Sequence, residues 1–223
     1  VVAGSDDDRV LARTGLGTGH AGARLGGGVT GRPRRDRSLV WIPVDVASMN
    51  LFLALLALVA LAGAATAGAV VVIGRGERLV RLRDDLADAA LPLALAVAAT
   101  CTAGSLYYSE IAGFTPCKLC WFQRICMYPL VVLLAVAVVR RDRAVRSYAL
   151  PLSVLGAAVS IYHYQLQRFP SQASAVCSVD APCTAREVDQ FGFVTIPFMA
   201  LCGFALISVL LIGLRPAPDA RPI

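Results

Sequence analysis

Five apolar runs, each long enough to cross a bilayer as a helix, leave this chain few folds. They are "MNLFLALLALVALAGAATAGAVVVIG" (49–74), "LADAALPLALAVAATCTAGSLYYS" (86–109), "LCWFQRICMYPLVVLLAVAVV" (119–139), "YALPLSVLGAAVSIYHYQL" (148–166) and "VTIPFMALCGFALISVLLIGL" (194–214). A helix needs about 20 residues to span a ~30 Å hydrocarbon core. Lipid offers the backbone no hydrogen-bond partners, so each run must satisfy its own amides as a helix. Composition agrees. The chain is 57% hydrophobic and 16% charged, against about 45–50% and 25% in soluble domains. The predicted fold class is an all-α integral membrane protein.

Residues 1–48, with "GARLGGGVTGRPRRDRS", are rich in Gly, Arg and Asp and show no apolar periodicity. They read as disordered. The net charge of +6 comes mostly from arginines. Those arginines set topology and do not point to nucleic acid. Arg75, Arg78, Arg81 and Arg83 fall in the 75–85 loop. Arg140, Arg141, Arg143 and Arg146 fall in the 140–147 loop, and Arg215 and Arg221 in the tail 215–223. The positive-inside rule puts these three segments in the cytoplasm and the 110–118 and 167–193 loops outside. The first helix then runs inward, against which the "RPRRDR" arginines of 32–37 argue. A natural start at Met49 removes the conflict. A signal peptide is the rival reading of 49–74, but the run is long for one and arginines follow it directly.

There are seven cysteines. Four of them, Cys117, Cys120, Cys177 and Cys183, lie in the two outer loops, where an oxidising compartment lets disulfides persist. "PCKLCWFQR" places Cys117 and Cys120 as a Cys-x-x-Cys pair at a helix start. The first amides of a helix favour a thiolate there, and the thiolate is the reactive species. Arg124 follows Cys120 by one helical turn on the same face. A positive charge there would favour a thiolate at Cys120 or polarise a ligand carbonyl. The bland reading of Arg124 is snorkelling, yet an ionisable residue in a membrane segment points to function.

"CSVDAPC" carries Cys177 and Cys183, either a structural staple or a second redox pair that exchanges with the first. A zinc site from all four is the poorer reading, because the C-x5-C spacing does not suit one; no metal is expected. Cys101, Cys126 and Cys202 lie within apolar helices and read as packing residues. His163, in "SIYHYQLQRFP", and Gln167 one turn on share a face near the level of Arg124. No Gly-rich phosphate loop, HExxH or Ser/His/Asp arrangement is present.

"PCKLCWFQR", "HYQLQRFP" and "GFVTIPFMAL" together resemble the bacterial disulfide bond formation protein B (DsbB/BdbC-type) family over roughly 86–214. The resemblance implies a four-helix transmembrane bundle, to which 49–74 adds one extra N-terminal helix. It implies a thiol:quinone oxidoreductase of the bacterial cytoplasmic (inner) membrane. Such a protein reoxidises an extracytoplasmic DsbA-like thioredoxin-fold oxidase and passes the electrons to the membrane quinone pool, menaquinone or ubiquinone. Cys177 would meet the partner's thiolate with Cys183 as its mate. Cys117 and Cys120 would take the electrons, with Cys120 facing the quinone, and Arg124, His163 and Gln167 would hold the quinone. The vitamin K epoxide reductase-like family is the nearest competitor, but its loop cysteines precede its CxxC. A non-catalytic scaffold with stapled loops is the other alternative, and it has no need of Arg124.

Overall fold

The computed structural model describes residues 45–73, 77–172, 177 and 181–213. Five long helices follow in order: α1 (Val46–Ile73), α2 (Glu77–Leu106), α3 (Lys118–Arg140), α4 (Arg146–Arg168) and α5 (Ile196–Gly213). All five are long and apolar enough to cross a membrane. The only β pairing among the described residues is an isolated bridge, Gln190 to Val194. The fold is all-α and of the membrane type.

Helices α2, α3, α4 and α5 each pack on two neighbours and close a ring, and α1 lies outside it, mainly along α5. Leu130, Leu134, Phe204, Ile207 and Leu211 are fully buried inside, with Ala94, Ala98 and Ala149 opposite them. Lipid tails are as apolar as leucine, so association rests on close approach and on hydrogen bonds between helices. Gly156 of α4 supplies the approach: a Cβ there would run into the Phe204 ring. Gly203 does the same for α2, since a Cβ would meet the Cys101 sulfur at 2.5 Å. Ser153 Oγ donates to the Phe204 carbonyl at 3.0 Å and lies 2.9 Å from Ser208 Oγ, which ties α4 to α5 inside the apolar zone.

Two of the boundaries that differ from those read in the sequence matter here. Helix α1 starts at Val46, so 46–48 are helical and not disordered; residues 1–44 lie outside the described residues. Helix α2 starts at Glu77, so most of the expected 75–85 loop is the polar first part of a 30-residue helix. "ERLVRLRDDL" repeats its apolar residues at helical spacing, and charge does not prevent a helix outside the hydrocarbon. Glu77 in the first turn also suits the helix dipole. Arg75, Arg215 and Arg221 lie outside the described residues. At this end Arg143 reaches Asp88 at 2.7 Å and joins α2 to the turn before α4.

At the opposite end α2 runs into a π-helical turn, Tyr107–Ile111, whose wide bonds (Ala112 N to Tyr107 O, 2.9 Å) turn Tyr108 inward. Such turns recur at functional sites. Gly113 then takes φ 74°, a left-handed angle that costs glycine little.

Candidate functional site

The dithiol sits where α3 begins. Cys117 is the N-cap of α3, extended at φ −72°, ψ 172°, and its sulfur accepts from the Cys120 amide at 3.5 Å. The Cys120 sulfur lies 3.4 Å from the same sulfur. A third contact comes from α4, whose His163 Nε2 lies 3.6 Å away. The Cys120 thiol above all, then His163, outweighs the opposing effect of burial and pulls the Cys117 thiol down to about 4. The activating contacts thus converge on Cys117, whereas the sequence pointed to Cys120.

His163 also joins the two cysteine pairs. Its Nε2 lies 3.2 Å from the backbone oxygen of Cys183. A carbonyl can only accept, so Nε2 carries the proton. Cys183 is bonded to Cys177 in a disulfide with Cα atoms 5.7 Å apart. Cys117, Leu119, Leu166 and Cys183 form one buried cluster, with Cys120 and Cys177 packed against it. All four expected redox cysteines are therefore together.

The loop that carries Cys183 is strapped to the end of α4. Gln167 Nε2 donates to Ala185 O at 2.7 Å, and Arg186 Nη2 donates to Gln167 O at 2.6 Å. Arg168 donates to Gly192 O at 2.9 Å, and Tyr164 OH to Phe193 O at 3.1 Å. Cationic donors at a helix C-terminus also meet its unpaired carbonyls and negative dipole end.

Arg124 turns toward α2. Its Nε donates to Ser105 Oγ at 3.0 Å and its Nη2 to Ser105 O at 2.9 Å, while the guanidinium lies 5.3 Å from the Trp121 ring centre. Its hydrogen bonds go to Ser105, and those of His163 and Gln167 go to the Cys183 loop. All three line one cavity of about 910 Å³, together with Cys117, Cys120 and Tyr108. That is within the size range of small-molecule sites. Three buried polar atoms of its lining residues have no hydrogen-bond partner among the described residues: Tyr108 Oη, His163 Nδ1 and Gln167 Oε1. Such atoms are costly unless something pairs with them.

Ser105 and Tyr108 escaped the sequence reading. "SLYYS" stood only as the end of the second apolar run, and the π-turn gives Tyr108 its direction. Of the three helix cysteines, Cys101 reaches the cavity lining, while Cys126 is core. Cys202 is buried as well. The two α3 sulfurs and a His163 ring nitrogen lie within 4.8 Å of one another, a donor set suited to a soft cation. The Cys177–Cys183 disulfide takes two sulfurs out of a four-cysteine zinc set, the reading that the sequence disfavoured.

A helical membrane bundle with a buried dithiol, an adjoining disulfide and a shared histidine defines a membrane thiol oxidoreductase. The comparisons sharpen the class. The family model "Disulfide bond formation protein DsbB" matches residues 87–214. "Probable disulfide formation protein C 1" of Bacillus anthracis is 53% identical over 110 residues, 48% of this chain and 78% of that protein. "Disulfide bond formation protein C" of Bacillus subtilis is 46% identical over 113 residues, 50% and 82% of the two chains. No solved structure matches. The chain belongs to the DsbB family.

Proposed function

We propose that this chain reoxidises an extracytoplasmic thioredoxin-fold dithiol oxidase and delivers the electrons to a membrane quinone. The observation that carries this reading is that the dithiol, Arg124 and three residues with an unpaired buried polar atom, Tyr108, His163 and Gln167, line one cavity. A quinone head suits that lining. Its carbonyls accept from Tyr108 Oη or an Arg124 N–H, and its reduced hydroxyls can donate to Gln167 Oε1. When bound, a quinone accepts an electron pair and two protons.

The protein's share is a relay. The partner's thiolate attacks Cys177, breaks its bond to Cys183 and forms a mixed disulfide. The partner's second thiol then releases Cys177, so the partner is oxidised and Cys177 and Cys183 are reduced. These two thiols reduce the Cys117–Cys120 disulfide by the same exchange and regain their own bond. The reduced pair has Cys117 as thiolate, held by the Cys120 thiol and His163. It gives up its electrons to the acceptor and closes again. Arg124 offers a fixed positive charge where negative charge develops. The sidedness rests on the arginine bias, which puts Cys117, Cys120, Cys177 and Cys183 outside.

The test mixes purified chain with a reduced thioredoxin-fold partner, with and without a soluble quinone. Partner thiols and quinone absorbance should disappear together, one quinone per dithiol. Loss of partner thiols at an unchanged rate without quinone, beyond the chain's own cysteines, would exclude a quinone as acceptor.

A further inference from the structure

The cavity does not stop at the redox centre. It runs along α1, whose Leu53, Leu56, Ala60, Gly63, Ala67 and Val70 line it at helical spacing. These residues cover 17 steps of helix, about 26 Å at 1.5 Å each, most of the ~30 Å hydrocarbon core. Gly63, Gly68 and Val71 lie against Leu206, Val209 and Gly213, so α1 runs parallel to α5 and seats on it. It meets α2 far less. Near the dithiol end, Leu53 closes on Gly104. Farther along, Leu86 of α2 and Leu210 of α5 line the same space.

This shape is polar at one end and apolar for the rest. Tyr108, His163 and Gln167, all more than nine-tenths buried and each with an unpaired atom, mark the polar end. A detached ring would use only that end. Helix α1 lies wholly outside the family match at 87–214, so this wall is added to the family bundle. We propose that α1 forms the wall of a channel for the isoprenoid tail of the acceptor, and so makes the chain select long-tailed quinones. The proposal rests on the quinone reading above.

The experiment measures binding, not turnover. The full chain in lipid nanodiscs is exposed to a long-tailed quinone with a photoreactive group at the tail end, and cross-links are mapped by mass spectrometry. They are expected on α1 between Ala60 and Val70. In parallel, equilibrium binding of tailless and long-tailed quinones is compared in wild type and in Gly63→Leu, a lining position whose new side chain would meet Leu206, another lining residue. Displacing about two buried CH₂ groups of the tail should weaken long-tailed binding by about tenfold, with the tailless ring unaffected. Cross-links on the outer faces of α3 and α4, or equal loss for both ligands in a folded Gly63→Leu, would overturn the channel. Displacement of the tail probe by phospholipid alone would make it a lipid site and overturn it too. If neither quinone binds, the acceptor assignment itself fails, a result distinct from failure of the channel. The cross-link map uses the wild-type chain and does not depend on the folding of the variant.

Discussion

The Nε2 atom of His163 lies 3.6 Å from the sulfur of Cys117, across the contact between α4 and the start of α3. The Cys120 thiol and this imidazole hold Cys117 as a thiolate, with its pKa pulled down to about 4. The deprotonated form is the one favoured, so it prevails above that value and is lost as pH falls through it. Alkylation of Cys117 in the reduced chain should be nearly independent of pH from neutrality down to about 5 and fall below. In His163→Ala the fall should begin at higher pH. An unshifted profile in that variant would remove the imidazole from thiolate control.

Arg124→Ala should raise the KM for quinone. One charge-assisted hydrogen bond is worth about 1.5–3 kcal/mol, or about ten- to a hundredfold. Arg124→Lys should recover only part, because a point charge lacks the planar fork. Ser105→Ala removes the partner of Arg124 Nε but keeps the backbone acceptor, so about 0.5–1.5 kcal/mol is expected. Steady-state kinetics over a quinone series decides the order of the three.

Cys177→Ser should block oxidation of a protein partner and spare quinone reduction by a small dithiol. Cys120→Ser should abolish both. The basis is burial: Cys117 is only 6% exposed and lines the cavity, while Cys177 of the loop disulfide is partly exposed. Equal loss of both activities in Cys177→Ser would make the loop disulfide a staple.

Gly156→Ala puts a methyl group into the Phe204 ring, which is fully buried. Overpacking of this kind costs about 1–3 kcal/mol. The variant should unfold earlier in a thermal scan in detergent, and Phe204→Leu in the same chain should restore part of the loss.

Asp142→Cys, in the turn between α3 and α4, should resist a membrane-impermeant thiol reagent in intact cells and react once the membrane is broken. Arg140, Arg141, Arg143 and Arg146 cluster around it, and such clusters stay in the cytoplasm. Labelling of intact cells would invert the proposed topology and put the dithiols in a reducing compartment.

The helices were legible because lipid imposes one rule on every span. The start of α2 was not, because its first two turns lie among charges, where the hydropathy signal fades. The Cys-x-x-Cys and Arg124 stood out because a charge and a dithiol are conspicuous in an apolar run. Their partners did not. Ser105 holds Arg124 from 19 residues away, and nothing in "TAGSLYYS" marks it as a receiver. His163 was visible as a polar residue at the end of a helix. That one nitrogen touches both Cys117 and the Cys183 carbonyl depends on how the loop folds back over α4, through Arg186 and Gln167. Tyr108 was hidden most deeply, since a π-turn has no sequence signature comparable to a proline or a glycine.

The packing of both cysteine pairs against one another has a consequence for stoichiometry. Two dithiol–disulfide couples in contact hold four electrons between them, twice what a single turnover moves. A fully oxidised chain deprived of any acceptor can therefore still consume two equivalents of dithiol before it stalls. A rapid-mixing trace should then show a burst whose amplitude, not its rate, counts the couples in communication. If the relay holds, the cluster stores electrons between a protein donor and a membrane acceptor.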